Sequence, residues 1–191
     1  MAAKTQITTG KVRFSYVSVF RPKLMQDGVT EKYSVTLLIP KRDKQTLRKI
    51  EGAIEAAKES FVKRNPGKRI PPNAPTTLHD GDGVKENGDD YGPECAGCMV
   101  MTVTAKANRK PVIVYADKTP MTEETELYSG CYGRAVINFF VYENMGRIGI
   151  SAGLNGLMKL EDGEPLSGGV VTDADWDDDY NDYDTGGGLL D

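Results

Sequence analysis

Four side chains in this 191-residue chain have the chemistry of zinc ligands: His79, Cys95, Cys98 and Cys131. Structural zinc sites usually draw on two close pairs, whereas the spacing 79, 95, 98, 131 supplies one CxxC pair and two distant residues. We therefore expect no resident metal or other cofactor, with Cys131 a core residue at the mouth of a strand. A thioredoxin-like use of the CxxC pair would want a βαβ context that the sequence lacks. Carboxylates offer a second chemistry. Asp80, Asp82, Asp89 and Asp90 could hold the metals of a nuclease, yet they sit in a glycine-rich loop with no spacing that selects them. The DGDG run at 80–83 lacks the closing glutamate and flanking helices of a calcium loop, so it reads as a solvated turn. With one histidine and no GxSxG, Walker or HExxH pattern, the chain is not expected to be an enzyme.

Cations interleaved with rings are the stronger signal. Lys11 and Arg13 precede Phe14 and Tyr16; Phe20 precedes Arg21 and Lys23; Lys32 adjoins Tyr33; Lys106, Arg109 and Lys110 lead to Tyr115; Tyr128 and Tyr132 precede Arg134. Unpaired nucleotides are held by such pairings, because phosphates need Lys or Arg while bases stack on flat rings. The candidate cations are Lys11, Arg13, Arg21, Lys23, Lys32, Arg109, Lys110 and Arg134. The candidate stacking residues are Tyr16, Phe20, Tyr33, Tyr115 and Tyr132. Some of the rings must be core: Ile137, Phe139 and Val141 make one continuous apolar face. Phe20, Tyr91, Tyr128 and Tyr132 lie next to loops and are expected to be the more exposed.

Charge is distributed unevenly. All 24 Lys and Arg lie at or before Lys159, while 8 of the 28 acidic residues fall in the last 19. Residues 1–172 therefore carry 24 − 20 = +4 and residues 173–191 carry −8. That end, DADWDDDYNDYDTGGGLLD, sets Asp173, Asp175, Asp177, Asp178, Asp179, Asp182 and Asp184 around Trp176, Tyr180 and Tyr183, then closes on Leu189, Leu190 and Asp191. A basic body would attract a tethered polyanion, so the tail is expected to compete with nucleic acid and, once released, to offer Trp176 and the leucines to partner proteins. A purely solubilising tail is the alternative.

The elements that must position these residues are mostly strands. GKVRFSYVSVF (10–20) sets Val12, Phe14 and Tyr16 on one face and Lys11, Arg13 and Ser15 on the other; EKYSVTLLIP (31–40) alternates Tyr33, Val35, Leu37 and Ile39 against polar residues. Asp27-Gly28 marks the turn between them. A helix starts at Asp43 with Leu47, Ile50, Ile54, Ala57 and Phe61 on one stripe, and Asn65-Pro66-Gly67 stops it. After a long turn-rich region, strands are expected at 98–107, 110–117, 131–143 and 147–160, the last two joined at ENMGR (143–147). No apolar run is long enough to span a membrane, the start MAAKTQITTGKV has no apolar signal core, and three cysteines without a framework fit a reducing cytoplasm. The expected fold is mainly β: a closed barrel of the oligonucleotide-binding (OB) type with one central helix and long loops over residues 1–168, followed by a disordered acidic tail over 169–191. An immunoglobulin-like sandwich is the competitor, disfavoured by the helix and the uneven strand spacing.

The sequence resembles phage-encoded single-stranded-DNA-binding proteins of the OB-fold. The resemblance covers most of the chain and is carried by the order of KVRFSYVSVFRPK, YSVTLLIPKRD, LHDGDG, YGPECAG, ELYSGCYGRAVINFFVY and GISAGLNGLMKLEDGEPLSGG. It implies sequence-independent binding of single strands in phage DNA replication, recombination or repair, in the cytoplasm of the infected bacterium, and a tail that recruits replication proteins. Tails of cellular single-strand binders tend to end in an aromatic residue; this one ends Leu189-Leu190-Asp191, which shifts the expected anchor to Trp176 or the leucines. The alternatives are an acidic-tailed interaction or virion protein, and a metal-dependent nuclease.

Overall fold

Alternation along the strands decides what the barrel contains. The structure is a computed structural model that describes residues 4–166; the expected tail and its candidate partner-binding residues lie outside the described residues. In order, the chain forms β1 (Gln6–Thr8), β2 (Val12–Leu24), β3 (Glu31–Pro40), α1 (Lys44–Arg64), β4 (Leu78–Asp80), β5 (Cys98–Lys106), β6 (Val112–Val114), β7 (Tyr132–Asn144) and β8 (Arg147–Glu161). Neighbouring pairs run β7–β2–β3–β5–β8, and β8 pairs back onto β7, so five strands close a ring. All of its pairings are antiparallel except β5–β8, which is parallel. This is the connectivity of an OB-type barrel. The short strands β1, β4 and β6 add to β7, β5 and β8 from outside the ring.

Every second residue points inward. Val12, Phe14, Val35, Leu37, Ile39, Met101, Val103, Ala135, Ile137, Phe139, Ile150, Ala152 and Leu157 are buried together, with Tyr33 and Cys131 in the same core. The helix packs on β1 and β7. Asp43 caps it by accepting from the Thr46 amide at 3.1 Å and the Thr46 hydroxyl at 2.6 Å, and the Gly10 amide donates to that hydroxyl at 2.8 Å, tying helix start to barrel. Ile50, Ala57 and Phe61 of the expected stripe are buried, and Leu47 and Ile54 are half-buried against the core.

Three details depart from the sequence expectation. The strand expected at 110–117 shrinks to Val112–Val114, because Pro111 has no amide to pair and a turn follows, in which the Tyr115 amide donates to the Thr119 carbonyl. β1 and β4, at three residues each, carry too little periodicity to be read. Most consequential is Tyr16, expected on the apolar face with Val12 and Phe14. A β-bulge follows Ser15, where β2 shifts register against β3, and Tyr16 adopts a left-handed φ of 46° and stands 71% exposed.

Ring closure converges on Gly133, which pairs with Val12 of β2 and with Lys159 of β8. A Cβ there would run into the Met158 carbonyl oxygen and the Phe14 ring. Gly133→Ala should therefore destabilise the protein by about 3 kcal/mol, since backbone of an adjacent strand must move to make room; a chemical-denaturation midpoint within error of wild type would show that the closure has slack.

Candidate functional site

The outer face of β2, β3 and β5 is built by strand register. Cα partners give successive rows across the three strands: Arg13–Leu38–Val100, Ser15–Thr36–Thr102, Ser18–Ser34–Thr104 and Lys23–Lys32–Lys106. Because the residues between them face the core, these rows face out. The first row is roofed: Leu38 and Val100 form a second small core with Cys95, against which Tyr91, Cys98 and Leu166 pack. Beyond it lies a strip of hydroxyls, in which Thr36 and Thr102 bond each other at 3.1 Å. Thr102 is exposed, Ser34 and Thr104 are half-buried, and Ser15 and Thr36 are almost covered.

The strip ends on three lysines side by side. None of Lys23, Lys32 and Lys106 makes an ion pair among the described residues. Like charges directly opposite each other weaken a sheet, so this row is an unsatisfied concentration of positive charge. Phe20 sits in the second irregularity of β2, between the Ser18–Ser34 and Lys23–Lys32 pairs, with the Lys110 ammonium 5.7 Å from its ring centre. Arg109 is exposed in the β5–β6 turn, and Arg21 pairs with Glu124 at 3.5 Å. The β2–β3 loop (25–30) is stiffened by Asp27, whose carboxyl is held down at about 2 by the Thr30 hydroxyl and the Thr30 and Val29 amides.

At the other end of the face a cleft of about 770 Å³ is lined by Lys11, Arg13, Leu38, Arg42, Asp43 and Tyr132, among others. Lys11 and Arg13 lie 5.2 and 5.4 Å from the Tyr132 ring centre. Their charges are partly engaged: Lys11 pairs with Glu161, and Arg13 donates to the carbonyls of Gly130 at 3.0 Å and Glu164 at 2.7 Å.

The structure thus brings together Lys23, Lys32, Phe20, Arg21, Arg109 and Lys110 at one end and Lys11, Arg13 and Tyr132 at the other, with Tyr16 at the bulge that follows Ser15. Three candidates lie elsewhere. Tyr33 is sealed in the core at 7% exposure, as its place in the Tyr33–Val35–Leu37 alternation requires, so its ring cannot stack. Arg134 donates to the Thr9 carbonyl at 2.8 Å and lines a separate cavity with Val112, Val114 and Asn155. Tyr115 is half-buried against the core. The rings expected near loops, Phe20, Tyr91, Tyr128 and Tyr132, are only half-exposed, and Tyr16 is the most open of the candidate stacking rings. Sequence reasoning missed the hydroxyl strip and Arg42; the polar positions of YSVT and MTVTAK were its visible trace.

The remaining chemistry is used structurally. Cys131 lies in the main core, its thiol donating to the Tyr128 carbonyl at 3.0 Å, while Cys95 and Cys98 belong to the small core; burial pushes all three thiols up. His79 is exposed on β4. Among the described residues no group of three potential ligands converges. Asp80 and Asp82 both grip Lys41, each at 2.6 Å, and Asp82 also accepts from the Gly97 amide at 2.9 Å, pinning the loop over the end of β3.

A family model described as "Enterobacter phage Enc34, ssDNA-binding protein" matches residues 5–186. The solved structure of the bacteriophage Enc34 single-stranded DNA-binding protein in complex with ssDNA is 26% identical. It covers 87% of this chain and 95% of that one with a TM-score of 0.71. A protein of the Acyrthosiphon pisum secondary endosymbiont phage 1, called putative protein p50, is 28% identical over 180 residues, 92% of this chain and 94% of that protein. The bacteriophage T7 single-stranded DNA binding protein shares the fold at 15% identity and a TM-score of 0.59, covering 85% of this chain and 94% of that one.

The clamp on the loop should open in acid. Lys41 holds the Asp80 and Asp82 carboxyls below their ordinary value of 3.8, so what they contribute is present above that value and is lost as pH falls through the lowered one. Asp82→Ala should show at neutral pH what acid does to wild type: several-fold faster hydrogen exchange at the Gly97 amide, with the barrel core unchanged. Equal exchange would mean that the loop is held by other contacts.

Proposed function

The chain belongs to the family of the Enterobacter phage Enc34 ssDNA-binding protein, and from that premise we propose that it holds single-stranded DNA along the outer face of β2, β3 and β5. The observation that carries the proposal is the Lys23–Lys32–Lys106 row. A polyanion laid across it removes the mutual repulsion of the ammonium groups and releases counterions from the strand. The hydroxyl strip beside it can donate to phosphate and sugar oxygens, and Tyr16, Phe20 and Tyr132 offer ring surface to bases. Barrels of this connectivity take oligonucleotides on the face of their second and third ring strands, here β3 and β5, and at the loop joining the first two, here 25–30.

In this function the body, residues 1–168, coats and protects exposed strands without sequence preference and without catalysis. It serves phage DNA replication, recombination or repair in the cytoplasm of the infected bacterium. The acidic residues 169–191 act as a tethered competitor for the same cations, at an effective concentration approaching millimolar. The place of Leu166 supports this, since it packs against the Leu38–Cys95–Val100 cluster at the end of the same face. Displaced by a strand, the tail recruits replication or recombination proteins through Asp173, Asp175, Asp177, Asp178, Asp179, Asp182 and Asp184, with Trp176, Leu189 and Leu190 as apolar anchors.

Titrating a labelled oligonucleotide by fluorescence anisotropy tests the face directly. Affinity should fall with salt at a log–log slope near −0.7 per phosphate neutralised. Tyr16→Gly should weaken binding by about 1–3 kcal/mol through the lost stack, while raising the melting temperature, because glycine relieves a left-handed conformation that costs other residues roughly 1–2 kcal/mol. Unchanged affinity in this variant, together with a flat salt response, would remove the face from the mechanism.

Removing residues 173–191 should tighten binding at low salt, and the gain should fade toward 1 M, where the Debye length falls to about 3 Å. Equal affinity of truncated and full-length protein at low salt would reject competition by the tail.

A further inference from the structure

A second basic groove lies at the far end of α1. Its cavity of about 570 Å³ is lined by Lys58, Val62, Lys63, Lys68, Arg69 and Ile70, together with Glu59 and the Pro71-Pro72 turn. Two of these cations have local partners, Lys58 with Glu55 at 3.2 Å and Lys68 with Glu143 at 2.5 Å. Lys63 and Arg69 are exposed and make no ion pair among the described residues. Val62 is 44% exposed between them. This groove differs in kind from the β2–β3–β5 face: its lining has ammonium and guanidinium groups and aliphatic walls but no aromatic ring on which a base could stack. It fits a ligand that brings both the negative charge and the rings.

We propose that this groove docks the acidic tail of a second copy of the chain. The tail is its chemical complement: Trp176, Tyr180 and Tyr183 are spaced through seven aspartates between 173 and 184, over a stretch without a single cation. Carboxylates would pair with Lys63 and Arg69, and the rings would lie against lysine stems and the proline turn, where cation–π contact adds to area burial. For Trp176, the tail ring nearest the body, tether length disfavours the chain's own groove. Leu166 packs against the Leu38–Cys95–Val100 cluster, and Leu38 and Asp43 line the same cleft. From Asp43 the 21-residue helix runs about 30 Å to the groove. The ten residues 167–176 span at most about 35 Å fully extended and only about 17 Å as a random coil, so Trp176 reaches its own groove only when the linker is pulled nearly straight. For a neighbour on the same strand the distance to be spanned is set instead by the spacing of the copies. Docking would then link copies along DNA once a strand has freed the tail from the face, which ties the inference to the proposed competition.

The test uses full-length protein saturated with oligonucleotide and a labelled synthetic peptide of residues 169–191, with peptide and oligonucleotide binding measured on the same samples. Wild type should bind the peptide at low salt, and Lys63→Glu with Arg69→Glu should weaken it about tenfold while leaving oligonucleotide affinity unchanged. A peptide with Asp177→Lys, Asp178→Lys and Asp179→Lys should bind that variant better than it binds wild type. Should the double variant fold poorly, Val62→Asp repels the aspartates from an exposed position and must weaken the peptide likewise. Equal peptide binding by variant and wild type, or loss of all peptide binding once oligonucleotide fills the face, overturns the proposal. Loss of oligonucleotide affinity in the variant would give the groove to nucleic acid instead. Sedimentation with oligonucleotide present should show association in wild type that the variant lacks; identical behaviour overturns the docking of a second copy.

Discussion

Closing five strands into a ring this small forces β2, β7 and β8 into backbone contact at Gly133, and the rest of the molecule follows from that seam. β2 pairs with β7 only through Val12 and Arg13, then swings away to run along β3. A strand that serves both sides of a closure must bend, and bulges are how strands bend. β2 shifts register twice against β3, after Ser15 and after Ser18. The first shift puts Tyr16 outside; the second places Phe20 beside Lys110 before Lys23 rejoins the lysine row. The two exposed or half-exposed rings of β2 are therefore consequences of how the ring closes, and the strained φ of Tyr16 persists because strands on both sides of it are fixed.

What could be read from the sequence was what depends on regular period. β3 and β5 keep strict alternation, so their inward residues and the burial of Tyr33 follow from spacing alone, and the ring identity of Tyr33 was a poor guide to its place. The helix was legible because Asp43, the apolar stripe and Asn65 agree with one another. Tyr16 was not legible as an outlier, because a bulge leaves no mark on hydrophobic pattern until the register beyond it is known. Arg13 and Arg134 looked equivalent as strand cations, yet each is held by carbonyls its neighbours present: Gly130 and Glu164 for one, Thr9 for the other. Those partners lie more than a hundred residues away in sequence, and only the closed ring brings them near.

The distribution of cations matters more than their excess over acids. Lys11, Lys41, Lys68 and Lys159 are bound to carboxylates and serve the architecture. Lys159 is the clearest case. Burial alone would pull its pKa down, but hydrogen bonds to Asp162 and Glu126 outweigh this and raise it, so the ammonium is kept throughout the neutral range, with the Tyr128 ring 5.4 Å away. That cluster and the Arg13 contact fix residues 161–164 against the β7 entrance, and Leu166 then packs against the Leu38–Cys95–Val100 cluster. The acidic end thereby departs from a defined point beside the face that carries the unpaired lysines.

A face of this composition also explains why a single-strand binder of the proposed kind would be indifferent to sequence. Lysines and hydroxyls address phosphates and sugars, which are the same at every nucleotide. In that role the rings at Tyr16, Phe20 and Tyr132 would meet the flat surface that every base has. Reading base edges requires donors and acceptors that are rigidly placed and desolvated, such as bidentate Asn, Gln or Arg pairs. The open part of the strip offers rotatable hydroxyls of Ser34, Thr102 and Thr104 instead, and Arg13, in the first row of the face, already has its guanidinium hydrogen-bonded to backbone carbonyls. In such a binder, discrimination would be left to what distinguishes a single strand from a duplex, namely bases free to lie on exposed rings while their phosphates meet the lysine row.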